Sequence, residues 1–136
     1  MESRTLIARN RYHNGYNCSQ AVFCTYCDLV GVDDVTGYKI SEGLGGGVAS
    51  TKGICGALSA LVLLGGMKFS DGKVGAGETK KMTAEKIQPA MKEFEEICGS
   101  TLCQKIKWEE IYNCHDAVEA AALLVEKYIF PEHFAQ

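Results

Sequence analysis

Seven cysteines in a chain of 136 residues are the side chains best able to carry chemistry, and four of them share a local context. Cys18 follows Asn17, a good helix cap, and is expected at the first position of that helix. Cys55 comes just after a glycine-rich stretch, where a buried helix should begin. Cys103 would be the second residue of a helix capped by Thr101. Cys114 follows Asn113, with Asp116 two residues on, so Asn113 can cap a helix that opens at Cys114; a start at Glu109 would instead put Cys114 mid-helix. First helical turns carry unpaired N–H groups and the positive end of the dipole, and both stabilise anions. A thiolate there has a lowered pKa, and the thiolate is the form that attacks or binds metal. Four such groups converging would make either a metal cage or a cluster of reactive thiols.

The other three cysteines read differently. Cys24 and Cys27 form a C-x-x-C spacing inside a helix with no βαβ pattern nearby, and small buried thiols often only fill space. Cys98 ends an amphipathic helix and is expected to pack, with a Cys98–Cys103 disulfide as the alternative. The odd total rules out a fully paired internal framework. His13 and His115 are candidate ligands or proton carriers, although His115 and Cys114, as helical neighbours, point about 100° apart. His133 is expected to be exposed, Asp116 and Glu119 to serve as a cap and a solvated face, and Lys52 to be solvated.

The elements that must position these residues have helical period almost throughout. Residues 2–13 carry Leu6, Ile7 and Tyr12 at helical spacing, and Asn14-Gly15 stops that helix. Asn17 and Gln20 form a capping box for a helix that runs to Gly31. A short helix over 35–44 follows, and then a glycine-rich connection over 43–53. Residues 54–67 read as a helix buried all round. A flexible loop is expected over 69–77, and a charged amphipathic helix over 78–98 with a kink or break near Gln88, because Pro89 lacks an N–H. The last helix starts between Glu109 and Cys114 and ends near Phe130-Pro131. The expected fold is all-α: a compact single-domain bundle over residues 1–136, with a glycine-rich loop before a buried central helix.

That loop is a poor phosphate cradle. Gly45-x-Gly47 has Ser50 where a third glycine would stand, no strand precedes it, and Thr51-Lys52-Gly53 reverses the order of a P-loop. Gly45, Gly46 and Gly47 are better read as backbone passing close to a neighbour or a cluster. Composition narrows the function further. A net charge of -3 gives no broad electrostatic footprint for nucleic acid. The longest apolar stretch falls short of the ~20 residues a membrane span needs. The charged start does not read as a signal peptide, so a cytoplasmic protein is expected, and clustered thiols there point to metal or redox chemistry.

At Cys18, Cys55, Cys103 and Cys114 the sequence resembles the C_GCAxxG_C_C family of redox-active proteins. The matching stretches are Gly15 to Val22, Gly43 to Gly47, Cys55-Gly56-Ala57, Cys103, and Cys114 followed by Ala121 and Ala122. The family's CGAxxG motif ends in glycine, where this chain has Ala60, a swap that keeps a small residue. The resemblance implies electron transfer or metal handling. A related domain in split-Soret cytochromes is associated with an iron–sulfur cluster, and many members lie near transporter genes. The first expectation is therefore an iron–sulfur cluster, 2Fe–2S, held by Cys18, Cys55, Cys103 and Cys114. Gly45, Gly46 and Gly47 would supply N–H groups to its sulfurs, and a redox partner of unspecified identity would exchange electrons with it. A cluster-free thiol–disulfide protein using two of the four cysteines is the second. A zinc module or transport-associated accessory protein is the third. A homo-oligomer is left open.

Overall fold

The computed structural model describes residues 1–134 as helices joined by short connections. In chain order these are α1 (Thr5–His13), α2 (Cys18–Tyr26) with a 3₁₀ turn at Cys27–Val30, and α3 (Asp34–Glu42). An irregular turn, α4 (Gly45–Val48), leads to α5 (Gly56–Phe69) and the long α6 (Lys80–Cys98). A π-turn (Gln104–Trp108) precedes α7 (Cys114–Leu124), which continues into a second π-turn (Val125–Ile129) and ends at α8 (Pro131–Phe134). Among the described residues there is no strand, only an isolated antiparallel bridge between Ile54 and Leu102. No described helix is long and apolar enough to cross a membrane.

Caps define the helix starts that matter. The Asn17 side chain accepts from Gln20 N–H at 2.9 Å, and Gln20 Oε1 accepts from Asn17 N–H at 3.0 Å, the reciprocal box read from the sequence. Asn113 Oδ1 accepts from His115 N–H at 2.8 Å and Asp116 N–H at 3.2 Å, so the last helix opens at Cys114. Helix α5 forms the centre. Its Leu58, Leu61 and Leu64 are fully buried, as are Val22 of α2, Phe94 of α6 and Val118 of α7. Burying each such side chain contributes about 1.5–3 kcal/mol.

Five expectations change. On α1, Leu6 and Ile7 are exposed and the inward stripe is Ala8 and Tyr12, four residues apart. The small Ala8 lets α1 lie against α7, where Arg9 ion-pairs with Asp116 and, at 3.7 Å, with Glu119. Those two acids thus tie α1 to α7; neither is a cap. Helix α5 is buried on all sides only in its first turns, and Met67 near its end is half exposed. Helix α6 runs unbroken through Pro89, because Glu85 and Pro89 both face outward and water can satisfy the freed carbonyl. Thr101 caps nothing. Its carbonyl accepts from Cys55 N–H at 2.7 Å while Cys103 N–H donates to Gly53 at 3.1 Å, so 101–102 pair in the bridge and the turn begins after Cys103.

Candidate thiol site

Cys18, Cys55, Cys103 and Cys114 line one cavity of about 80 Å³, together with Tyr12, Asn17, Gly46, Ile106 and Lys107. Each cysteine arrives by its own device. Cys18 is the first residue of α2 and Cys114 the first of α7, each directly after an asparagine cap. Cys55 immediately precedes α5, and Cys103 immediately precedes the π-turn. The two backbone bonds between 53–55 and 101–103 clamp Cys55 and Cys103 side by side.

Glycines make the approach close enough. Gly46 and Gly47 both have left-handed backbone, φ 67° and 70°. A Cβ on Gly47 would lie 2.6 Å from Cys103 Cβ, and one on Gly45 would overlap the Asn17 side chain. Val48, Ala49 and Thr51 are also left-handed without being glycine, a run of strain of about 1–3 kcal/mol each that clusters beside the thiols. The loop therefore passes close to the cysteines: Gly45 and Gly47 leave room for Asn17 and Cys103, whereas Gly46 has open space beside it and is favoured by its left-handed backbone.

The thiols are not equivalent. Cys18 accepts a hydrogen bond from the Cys55 thiol and others from the N–H groups of Gly46, Ser19 and Gly56, which together pull it down to about 6. Cys55, as donor to that thiolate and nearly fully buried, is pushed well above the usual thiol range. Burial, then the nearby Cys18 charge, raises Cys103. Burial raises Cys114, while the Tyr12 hydroxyl, hydrogen-bonded to its sulfur, opposes that shift. Among the described residues no group of three or more His, Cys, Asp or Glu side chains is arranged closely enough to hold a single metal ion.

The remaining candidates lie outside the cavity. All seven cysteines are free, so Cys98 and Cys103 are not bonded to each other. Burial pushes Cys24 up to about 11 and Cys98 up to about 12, as expected of packed, inert thiols. His115 does not line the cavity; its ring meets Tyr12 edge-on, with centroids 4.8 Å apart, and lies 5.8 Å from that of His13. Lys52 and His133 lie away from it, Lys52 exposed to solvent. Sequence reasoning missed Tyr12, Ile106 and Lys107 as cavity residues. No spacing signal marks Tyr12, which sits on a helix that carries no cysteine.

The asymmetry predicts selective reactivity. In the reduced, metal-free protein at neutral pH, iodoacetamide is expected to alkylate Cys18 about a hundredfold or more faster than Cys24, read by peptide mass spectrometry. Equal rates would contradict the pairing. The sign of the stability effect follows from the lowered Cys18 value. Its contribution is full near the ordinary thiol pKa, declines as pH falls, and is gone below about 6. The raised Cys55 removes stability as pH rises above the ordinary range, so the pair favours the folded state most near the ordinary thiol pKa.

A family model described as "Putative redox-active protein (C_GCAxxG_C_C)" matches residues 16–128, a span that holds all four cavity cysteines and leaves α1 outside. No curated protein and no solved structure matches the chain.

Proposed function

Since the chain belongs to the C_GCAxxG_C_C redox-active protein family, we propose that Cys18, Cys55, Cys103 and Cys114 hold an iron–sulfur cluster, a 2Fe–2S centre, that exchanges electrons with a redox partner. The observation that carries this reading is the convergence of four cysteines, from four separate segments, on one small cavity. A dithiol uses two sulfurs, whereas a cluster is held by four thiolates. An all-sulfur donor set suits iron–sulfur or zinc. When bound, the cluster would supply one-electron transfer.

The chain's own residues prepare that space. The Cys55 thiol, and after it the N–H groups of Gly46, Ser19 and Gly56, favour the thiolate form of Cys18 before any metal arrives. Ile106, almost fully buried, keeps water from one wall. Lys107 brings a cation to a cavity whose thiolates accumulate negative charge.

A second reading is favoured by the Cys18–Cys55 pair, a thiolate hydrogen-bonded to a thiol. Cys18 would attack a substrate disulfide, expelling one thiolate and forming a mixed disulfide. Cys55 would then attack Cys18, its proton passing to the second departing thiolate while the first takes a proton from water. The substrate leaves as two thiols and the protein as the Cys18–Cys55 disulfide.

Anaerobic expression and reconstitution separate the readings. Iron and acid-labile sulfide in equal stoichiometry, with visible absorbance that bleaches under dithionite, are expected. An iron-free, colourless chain would reject the cluster, and a reversible Cys18–Cys55 disulfide in that chain would establish the second reading. Stoichiometric zinc with no redox response would reject both.

A further inference from the structure

A groove of about 440 Å³ opens between α5 and α6 and shares no residue with the cysteine cavity. That volume lies in the range of small-molecule sites, roughly 300–1,000 Å³. Lys80, Thr83, Ala84, Ile87, Gln88 and Met91 line it at steps of one, three and four, so they form one stripe of α6. The wall is almost wholly apolar, and its polar groups, Gln88 aside, gather where α6 begins. There each group has a proton to give. Ser70 Oγ accepts from Gly72 N–H and Thr79 Oγ1 from Asp71 N–H, each at 3.1 Å, and neither hydroxyl donates to another described residue. Lys80 makes no ion pair among the described residues. Thr83 Oγ1 is shut off from solvent and has no hydrogen-bond partner, a state that native structures avoid. Threonine has two favoured χ1 rotamers in a helix, so rotation can bring this hydroxyl to the groove. No acidic residue lines the groove; Asp71, in the adjoining loop, is taken by the N–H groups of Lys73 and Glu78.

We propose that this groove is a second binding site, which takes a medium-chain monocarboxylate. Its head would lie among the Ser70, Thr79, Thr83 and Lys80 donors, and its chain along Val62, Ala84, Ile87 and Met91. An ionised carboxylate only accepts and can take several donors at once, which is what four donors without acceptors require. The bond from Lys80 is charge-assisted, and burial of the chain removes apolar surface from water. From Lys80 to Met91 the helix rises about 16 Å, which accommodates a chain of about ten carbons. The proposal stands apart from the cluster reading, because the two cavities have no residue in common.

The test titrates decanoate, decan-1-ol and butyrate into the wild-type chain by calorimetry. One decanoate per chain is expected, bound more tightly than decanol, with no detectable binding of butyrate. Lys80→Gln should weaken decanoate about fivefold and leave decanol unchanged. Thr83→Val should raise the melting temperature, by removing a buried hydroxyl that has no partner, and should weaken decanoate. A loosened fold would not produce that pair of signs. Ala84→Phe, at an exposed position, should abolish binding by filling the groove. If Ala84→Phe fails to fold, the Lys80→Gln and Thr83→Val contrasts decide. Absence of decanoate binding, decanoate bound no better than decanol, or binding that survives Ala84→Phe overturns the proposal. So does a concentration-dependent dimer in sedimentation that Ala84→Phe dissociates, since a second copy of the chain would then occupy the groove.

Discussion

Serine in place of any one of Cys18, Cys55, Cys103 or Cys114 is expected to abolish the redox response, whereas serine at Cys24, Cys27 or Cys98 leaves it intact. The substitution nearly preserves volume, so the difference is chemical. A serine hydroxyl does not ionise at neutral pH and is a poor ligand for soft metals. The four cavity positions lose a nucleophile or a ligand. The three buried positions instead gain a hydroxyl in apolar surroundings, which costs about 1–3 kcal/mol where no partner is found. The two sets should therefore separate on two axes: cofactor content with redox-dependent absorbance, and the urea midpoint. Full redox response in Cys103→Ser would remove Cys103 from the site. Loss of response in Cys24→Ser without unfolding would add Cys24 to it.

Alanine at Gly56 is the second large effect, and the same helix contains its control. Glycine inside a helix normally costs about 0.5–1 kcal/mol relative to alanine, so Gly→Ala there is usually stabilising. At Gly56 the added methyl would overlap Cys18 Sγ and lie 2.9 Å from the Leu44 carbonyl oxygen and 3.1 Å from Gly45 Cα. Two of those neighbours are backbone and the third is the reactive sulfur, so none can move aside cheaply. Overpacking of this kind costs about 1–3 kcal/mol, which outweighs the helical gain. Gly56→Ala is expected to lower the melting temperature and to prevent cofactor loading by displacing Cys18. Gly66, ten residues further along α5, has no atom near its would-be methyl. Gly66→Ala is expected to stabilise by about 0.5–1 kcal/mol and to leave the site unchanged. Equal effects at the two positions would show that Gly56 is not held against Cys18.

Helix placement was largely legible because it depends on local chemistry. Asn17 with Gln20, Asp33 and Asn113 each bring an acceptor to the first turn of a helix, and each caps one in the structure. The Cys114 ambiguity was also local, and the Asn113 side chain decides it by taking two N–H groups at once. The errors fall where a distant segment competes for the same groups. Thr101 has the right side chain for a cap, but its backbone is engaged by Cys55, 46 residues earlier. Leu6 and Ile7 are apolar at helical spacing, yet the face that fits against α7 is the one carrying Ala8 and Tyr12, because a small residue permits the closer approach.

By itself the sequence determined that Cys18 stands at a helix start, that Asn113 offers a cap for one at Cys114, that a glycine-rich loop precedes the central helix, and that Cys24 and Cys27 read as packing thiols. These follow from caps, spacing and backbone freedom within a few residues of each position. Only the tertiary structure decided that the four thiols line one cavity and that Tyr12, from a helix without cysteines, lines it with them. Those are distances between segments far apart in the chain. They are set by how α1, α2, α5 and α7 pack, and side-chain volumes in the core, rather than any local motif, determine that packing.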